Sequence, residues 1–469
     1  MSKRLLTLLI VLVVLAGLVV AYVVVSRPKP VKSTNALPQL INTDKDKLVK
    51  ITLSDRPEGT LTLEKKEKTW TADSPVHFAM DESNLDDLAL TFTSLNAERV
   101  IDEHPTNLLQ YGLAPPRAQG TAVYADGSTK TILLGDKTPS DNTYYLQLKG
   151  DPKVYTVWQN FGDQMHWKLA DLRDKKISPA LNYDEITYFR LRRADGSEIE
   201  LKEKTPAETK TFQLGFSRYL MTRPYSVARG VDGEKGDGFI KGPQQIQISS
   251  FVNDAPKDLS QYGLAQPRDE VVVRDKSNML DLLFGSDDGR DKTYFMIRGA
   301  PSVYATDTSS LSFLKTTAWD IVDKFVFIPN IDDVDRMEVS NEGVTHALVI
   351  TRVTKKADKK GEKDTVEATY TVDGKTVAED SFKAFYQQIV GIQIEGETPK
   401  QVPEKPDVTV RFFLNKGPTK VATIVYAPYN RDFDAIFIDG RSEFALTRQQ
   451  LSTTLTKLDE LAKGEKVTY

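Results

Sequence analysis

From about residue 48 to the C-terminus, apolar residues alternate with polar ones over short stretches bounded by turn formers. This period of two predicts sheet. Val49, Ile51 and Leu53 open the series, and Leu61, Leu63 and Trp70 continue it as short strands of a meander. The period then changes. Leu85, Leu88, Phe92 and Leu95 recur at helical spacing behind Asp81 and Ser83, either of which can cap a helix that packs on the sheet. Beyond residue 111, residues 122–124 and 132–134 flank Asp126-Gly127, a hairpin signal, and further strands are predicted at 144–148 and 154–157. Ahead of all this, residues 5–25 carry no charge and follow Lys3 and Arg4. A helix of that length reaches about 30 Å, the thickness of the hydrocarbon layer of a bilayer, and is longer than the apolar stretch of a cleaved signal peptide. A single spanning helix is therefore predicted at 5–25, with 1–4 on the cytoplasmic side and 26–46, which holds Pro28, Pro30 and Pro38, as a polar stalk.

The pattern repeats. Gln110-Tyr111-Gly112-Leu113-Ala114-Pro115-Pro116-Arg117 recurs as Gln261-Tyr262-Gly263-Leu264-Ala265-Gln266-Pro267-Arg268. From Tyr111, Gly135, the Tyr144-Tyr145 pair and Val154-Tyr155 follow at 24, 33 and 43 residues; from Tyr262, Gly285, Tyr294-Phe295 and Val303-Tyr304 follow at 23, 32 and 41. Upstream, 186–191 and 199–201 match the early strands of the first copy, while the glycine-rich stretch 230–242 stands where the first copy has its helix. A third, degenerate copy lacks the Tyr-Gly-Leu element. It keeps the strand order at 334–339, 347–351, 408–414, 422–426, 435–438 and 444–446, a helix carrying Phe382, Phe385, Ile389 and Ile392, and a closing helix with Leu451, Leu455 and Leu458. The expected fold class is α+β: a transmembrane helix followed by three tandem units of antiparallel sheet plus helix, at 47–178, 179–328 and 329–469.

Composition narrows the function. A net charge of −4 made of interspersed charges of both signs offers no field for nucleic acid. The lysine-rich run 355–363 is short, mixed with acids, and reads as an exposed hairpin tip. No cysteine is present, which excludes disulfides, thiol catalysis and cysteine-ligated zinc. The histidines at 77, 104, 166 and 346 have no partner at metal-ligand spacing, and the run 287–291 lacks the alternating acids of a calcium loop. With no nucleophile elbow, zinc helix or phosphate loop in the chain, neither a catalytic residue, a cofactor nor a metal is predicted.

Two residue sets remain. Tyr111, Gly112, Leu113, Pro116 and Arg117, with Tyr262, Gly263, Leu264, Pro267 and Arg268, could form a ligand loop in which rings stack and the arginines pair with an anion. The structural alternative is stronger: glycine supplies a positive φ, proline sets entry to the next strand, and Tyr and Leu anchor a crossover. Tyr144, Tyr145, Tyr294 and Phe295 fit strands with one ring buried and one exposed, so they are candidate exposed contacts for a glycan.

The Tyr-Gly-Leu-x-x-Pro-Arg element, Asp126-Gly127, Leu134-Gly135-Asp136-Lys137, Tyr144-Tyr145, Val154-Tyr155 and Leu172-Arg173-Asp174-Lys175 together resemble the bacterial DUF4340 family. The second copy departs from it in carrying Ile321-Val322-Asp323-Lys324 at its end. The resemblance implies a single-pass, extracytoplasmic repeat protein of the inner membrane that accompanies ABC transporters of the gliding-motility or auxiliary type, beside a permease or larger membrane-anchored partner. It implies no catalytic residues. The expected function is a non-enzymatic scaffold and accessory subunit; the alternatives are a cell-envelope glycan-binding protein and an envelope hydrolase.

Overall fold

The computed structural model describes residues 38–468 apart from 74–77, 140–141, 212–214, 357–364, 399–405, 418 and 439. It divides into two compact bodies, Met1–Asp174 and Lys175–Tyr469.

In the first body a short strand, β1 (Gln39–Asn42), leads through a 3-10 turn capped by Asp44 into the meander β2 (Leu48–Ser54), β3 (Leu61–Lys66) and β4 (Thr69–Ala72). Helix α1 (Glu82–Thr93) follows. Its N-cap is Asp81, whose carboxylate accepts from the amides of Ser83 and Asn84, groups that no helical carbonyl can reach. Two short strands come next, β5 (Ser94–Asn96) and β6 (Arg99–Asp102), and then a second meander of β7 (Ala118–Tyr124), β8 (Thr129–Lys137), β9 (Thr143–Leu148) and β10 (Val154–Trp158). β5 pairs with β1; the rest form one antiparallel sheet in the order β4-β3-β2-β7-β8-β9-β10-β6. The helix thus carries the chain from one edge of the sheet to the other, and the chain returns to the centre at β7. Alternation fixes which face is inside: β7 turns Ala118, Gly120, Ala122 and Tyr124 inward, and the bare Gly120 leaves room for Phe92 of α1.

The second body runs the same course twice. Its first sheet joins β11 (Tyr188–Arg193), β12 (Glu198–Glu203), β13 (Tyr219–Arg223), β14 (Arg229–Gly230), β15 (Ser250–Asn253), β16 (Asp269–Arg274), β17 (Met279–Asp287), β18 (Lys292–Ile297) and β19 (Val303–Asp307) in the order β14-β13-β12-β11-β16-β17-β18-β19-β15. Helix α2 (Gly233–Ile240) lies between β14 and β15, so the glycine-rich stretch does form the repeat's helix, with Phe239 and Ile240 buried. The second sheet joins β20 (Val334–Asn341), β21 (Val344–Lys355), β22 (Thr365–Val372), β23 (Lys375–Thr376), β24 (Gly396–Glu397), β25 (Val408–Leu414), β26 (Val421–Pro428), β27 (Phe433–Ile438) and β28 (Arg441–Thr447) in the corresponding order, β23-β22-β21-β20-β25-β26-β27-β28-β24. α3 (Glu379–Val390) takes the place of the repeat's helix and α4 (Arg448–Ala462) closes the chain. These two sheets and their helices share a single core.

Several expectations are corrected. The α+β class with a spanning helix does not describe this architecture: antiparallel strand dominates, because helical periodicity is confined to brief stretches between meanders and one closing helix. Among the described residues no helix is long and apolar enough to cross a membrane, and the span predicted at 5–25 lies outside the described residues. Residues 38–46, expected to belong to a polar stalk, are instead β1 and the approach to its turn, where Ile41 is buried in the core.

Candidate functional site

The repeated octapeptide is the return crossover of the first two repeats, joining the far edge strand to the centre of the sheet in each. In the first copy a 3-10 turn, Leu109–Tyr111, ends at Gly112 with φ +66°; in the second, Ser260–Tyr262 ends at Gly263 with φ +68°. This left-handed conformation suits glycine. It folds the chain back so that the amide of Leu113 donates to the Leu108 carbonyl at 3.1 Å, and that of Leu264 to Leu259 at 3.0 Å. Leu113 and Leu264 are thereby buried, each 3% exposed. Pro116 and Pro267 then bring the chain to the strand, where the Arg117 amide donates to Leu134 O at 2.7 Å and the Arg268 amide to Phe284 O at 2.8 Å.

The polar side chains of the element bond within their own repeat. Tyr111 Oη donates to Asp102 Oδ2 at 3.0 Å, and Asn253 Nδ2 donates to Tyr262 Oη at 3.1 Å. Burial and the Asp102 carboxylate push the Tyr111 phenol up. Arg117 makes a forked pair with Asp136, at 2.6 and 3.3 Å, which raises the guanidinium's pKa. Burial alone would lower that of Arg268, but its bonds to Asp269 at 2.8 Å and Asp287 at 3.4 Å raise it. Beneath the crossover lie Gly135 and Gly285, where a Cβ would meet the carbonyl oxygens of Tyr111 and Tyr262.

The four aromatic residues predicted as exposed contacts do not line one surface. Phe295 is fully buried against Phe284 and Tyr304, which corrects that expectation. Tyr145 packs edge-on against Tyr111 at 5.1 Å between centroids, and Tyr294 packs in the same way on Tyr262 at 5.2 Å. Tyr144 lies over Gly162, and its hydroxyl donates to Asp163 at 2.8 Å; burial and that carboxylate push its pKa up to about 12. Register explains the mismatch. Leu146 pairs with Leu134 as Phe295 pairs with Phe284, so Tyr145 corresponds to Tyr294 and Leu146 to Phe295, one residue away from the match read in the sequence.

Sequence reasoning missed a second cluster, within the second body. Arg229, 4% exposed, donates to the carbonyls of Phe325 at 2.8 Å and Val326 at 3.4 Å, and its guanidinium stacks on Phe444 at 5.1 Å. Tyr225 Oη donates to Glu397 at 2.7 Å, and the Ser226 amide to Glu443 at 2.7 Å. The loop between β13 and β14 thus fastens one sheet of this body to the next. Burial lowers the pKa of Arg229 and raises that of nearby Asp323. In the first body Met80 bridges Arg173 as Val231 bridges Val322 in the second, so Phe78 stands at the Arg229 position, and Arg173 of the terminal segment stacks on it at 4.2 Å. Among the described residues no group of three or more His, Cys, Asp or Glu side chains is placed to hold a metal.

Fold and repeated residues together define a tandem-repeat protein of antiparallel sheets, in which the recurring motif holds the crossovers of the first two repeats to their sheets. The chain belongs to the family described as a domain of unknown function, DUF4340, whose model matches residues 70–226 and again 220–408. Each match begins in the third strand of the first meander, in β4 and in β13, so the family unit is this repeat cut at a different point. No curated protein and no solved structure matches the chain.

Proposed function

We propose that this chain is a non-enzymatic, membrane-associated scaffold that serves as an accessory subunit of an ABC-type membrane complex. One observation carries the non-enzymatic part: the side chains that recur, Tyr111, Arg117, Tyr262 and Arg268, are bonded to carboxylates, an amide or rings of their own repeat rather than converging on an open cleft. A motif used in this way keeps a shape, and a shape repeated in tandem offers faces for contact. The engagement of Tyr145 and Tyr294 by neighbouring rings and the burial of Phe295 weigh against a glycan-stacking stripe. Localisation outside the cytoplasm, at the inner membrane, is supported by the basic head and the uncharged run 5–25. The transporter partner is supported by what accompanies this family.

The test is affinity purification of the full chain from membranes in mild detergent, with co-purifying chains identified by mass. A permease or a larger membrane-anchored subunit in stoichiometric yield is the expected result. Recovery of the chain alone, from membranes in which it is intact, overturns the proposal.

A further inference from the structure

Each repeat is entered by a strap whose main chain bonds to the segment leaving the helix. In the first, the Ala97 amide donates to Pro38 O at 2.8 Å and the Thr43 amide to Thr93 O at 2.8 Å, with Gln39 opposite Asn96 and Ile41 opposite Leu95. In the last, the Ile394 amide donates to Lys324 O at 2.7 Å and the Val326 amide to Ile392 O at 3.0 Å, with Phe325 opposite Gln393. In the middle repeat the Ile248 amide donates to Lys175 O at 3.1 Å. Every strap then runs into a 3-10 turn capped by a side-chain oxygen, of Asp44, Asn182 or Asn330.

The three straps share almost no sequence: Pro38-Gln39-Leu40-Ile41, Lys175-Lys176-Ile177-Ser178 and Lys324-Phe325-Val326-Phe327. They have in common a main-chain bond to the segment leaving the helix and an aliphatic side chain at the third position, Leu40, Ile177 or Val326, packed on the core. A site filled by such different sequences in one geometry reads main chain and one aliphatic group, which is how strand addition to a sheet edge recognises a peptide.

We propose that the post-helix edge is a binding site for an extended peptide, filled in cis by the strap in every repeat, and that the edge of the first repeat, Leu95–Ala97, takes such a peptide in trans once its own strap is displaced. The full chain carrying Ile41→Asp supplies the vacated edge, because a carboxylate cannot remain where Ile41 is 2% exposed. A fluorescent peptide with the sequence of residues 38–44 is then titrated against it and against the unaltered chain. The expected result is saturable one-to-one binding to the variant, at least about tenfold tighter than to the unaltered chain. A peptide with the sequence of residues 324–330 should bind as well, and one carrying aspartate in place of Leu40 should not. Since the chain has no cysteine, a peptide with cysteine at the Gln39 position and a chain with Asn96→Cys should form one mixed disulfide, which locates the site. A folded variant that binds no peptide overturns the proposal. If the variant fails to fold, recovery of amide protection at Ser94–Ala97 on adding peptide supports it, and no recovery overturns it.

Discussion

A Cβ on Gly135 would stand 2.1 Å from the carbonyl oxygen of Tyr111, and one on Gly285 would stand 2.0 Å from that of Tyr262. The obstacle is main chain and cannot rotate away. Gly135→Ala and Gly285→Ala are therefore expected to cost about 2–3 kcal/mol each, the upper range of overpacking, through lifting of the crossover from its sheet. Gly233→Ala, at the open start of α2 with nothing within 4 Å, is the control and should be neutral or slightly stabilising. Urea unfolding of the three variants checks the contrast, and equal losses would sink it.

Arg229 is a buried cation whose guanidinium bonds two carbonyls and covers a ring. Arg229→Ala leaves those carbonyls without donors and opens a void, so a loss of about 3 kcal/mol is expected in the second body. Arg229→Lys should recover little, because an ammonium lacks the planar fork. Hydrogen exchange should report the loss at residues 324–326 and 394–396 while leaving α1 unchanged.

Tyr225 and Glu397 tie the two sheets of the second body through a hydroxyl that donates at 2.7 Å. A double-mutant cycle of Tyr225→Phe and Glu397→Gln is expected to give a coupling of about 1 kcal/mol. A coupling indistinguishable from zero would mean that solvent satisfies both groups equally well.

Alkaline stability follows from two phenols in the first body. Tyr144 donates to Asp163 and Tyr155 to Asp151, and burial with those carboxylates raises each from 10.0 to about 12. Between these values the folded chain holds protons that the unfolded chain has released, so the contribution is complete below pH 10 and is lost as pH rises toward 12. Denaturation midpoints of the first body should fall across that window. Tyr144→Phe and Tyr155→Phe should each flatten the fall, and an unchanged slope in both would contradict the assignment.

The meanders and α1 were legible in the sequence because alternation and helical spacing act over a few residues, as at Ile51, Leu53, Leu61 and Leu63 or at Leu85, Leu88 and Phe92. The order of strands was not, because nothing local tells that β7 returns to the centre beside β2. The first strap reads as stalk for a related reason: Leu40 and Ile41 form too short an apolar run to show a period, and their burial depends on Leu95, more than fifty residues away. In the crossover, Tyr111, Gly112 and Arg117 were visible because they recur. Their partners Asp102 and Asn253 differ in type, although each stands nine residues before its tyrosine, a spacing that would have found them. Arg229 left no such trace, since Phe78 stands at its place in the first body.

The handover from one sheet to the next is completed within a single peptide step. The Asp323 amide bonds to Gly230 of the sheet it is leaving, while the Lys324 carbonyl receives Ile394 of the sheet it enters. Splicing Asp174 directly to Lys324 would delete one whole module, residues 175–323, and still deliver an incoming segment in frame to the module that follows. Members of such a lineage would grow or shrink by whole modules cut at this joint, and excision at the more obvious sheet margins would leave the next module without its opening stitch.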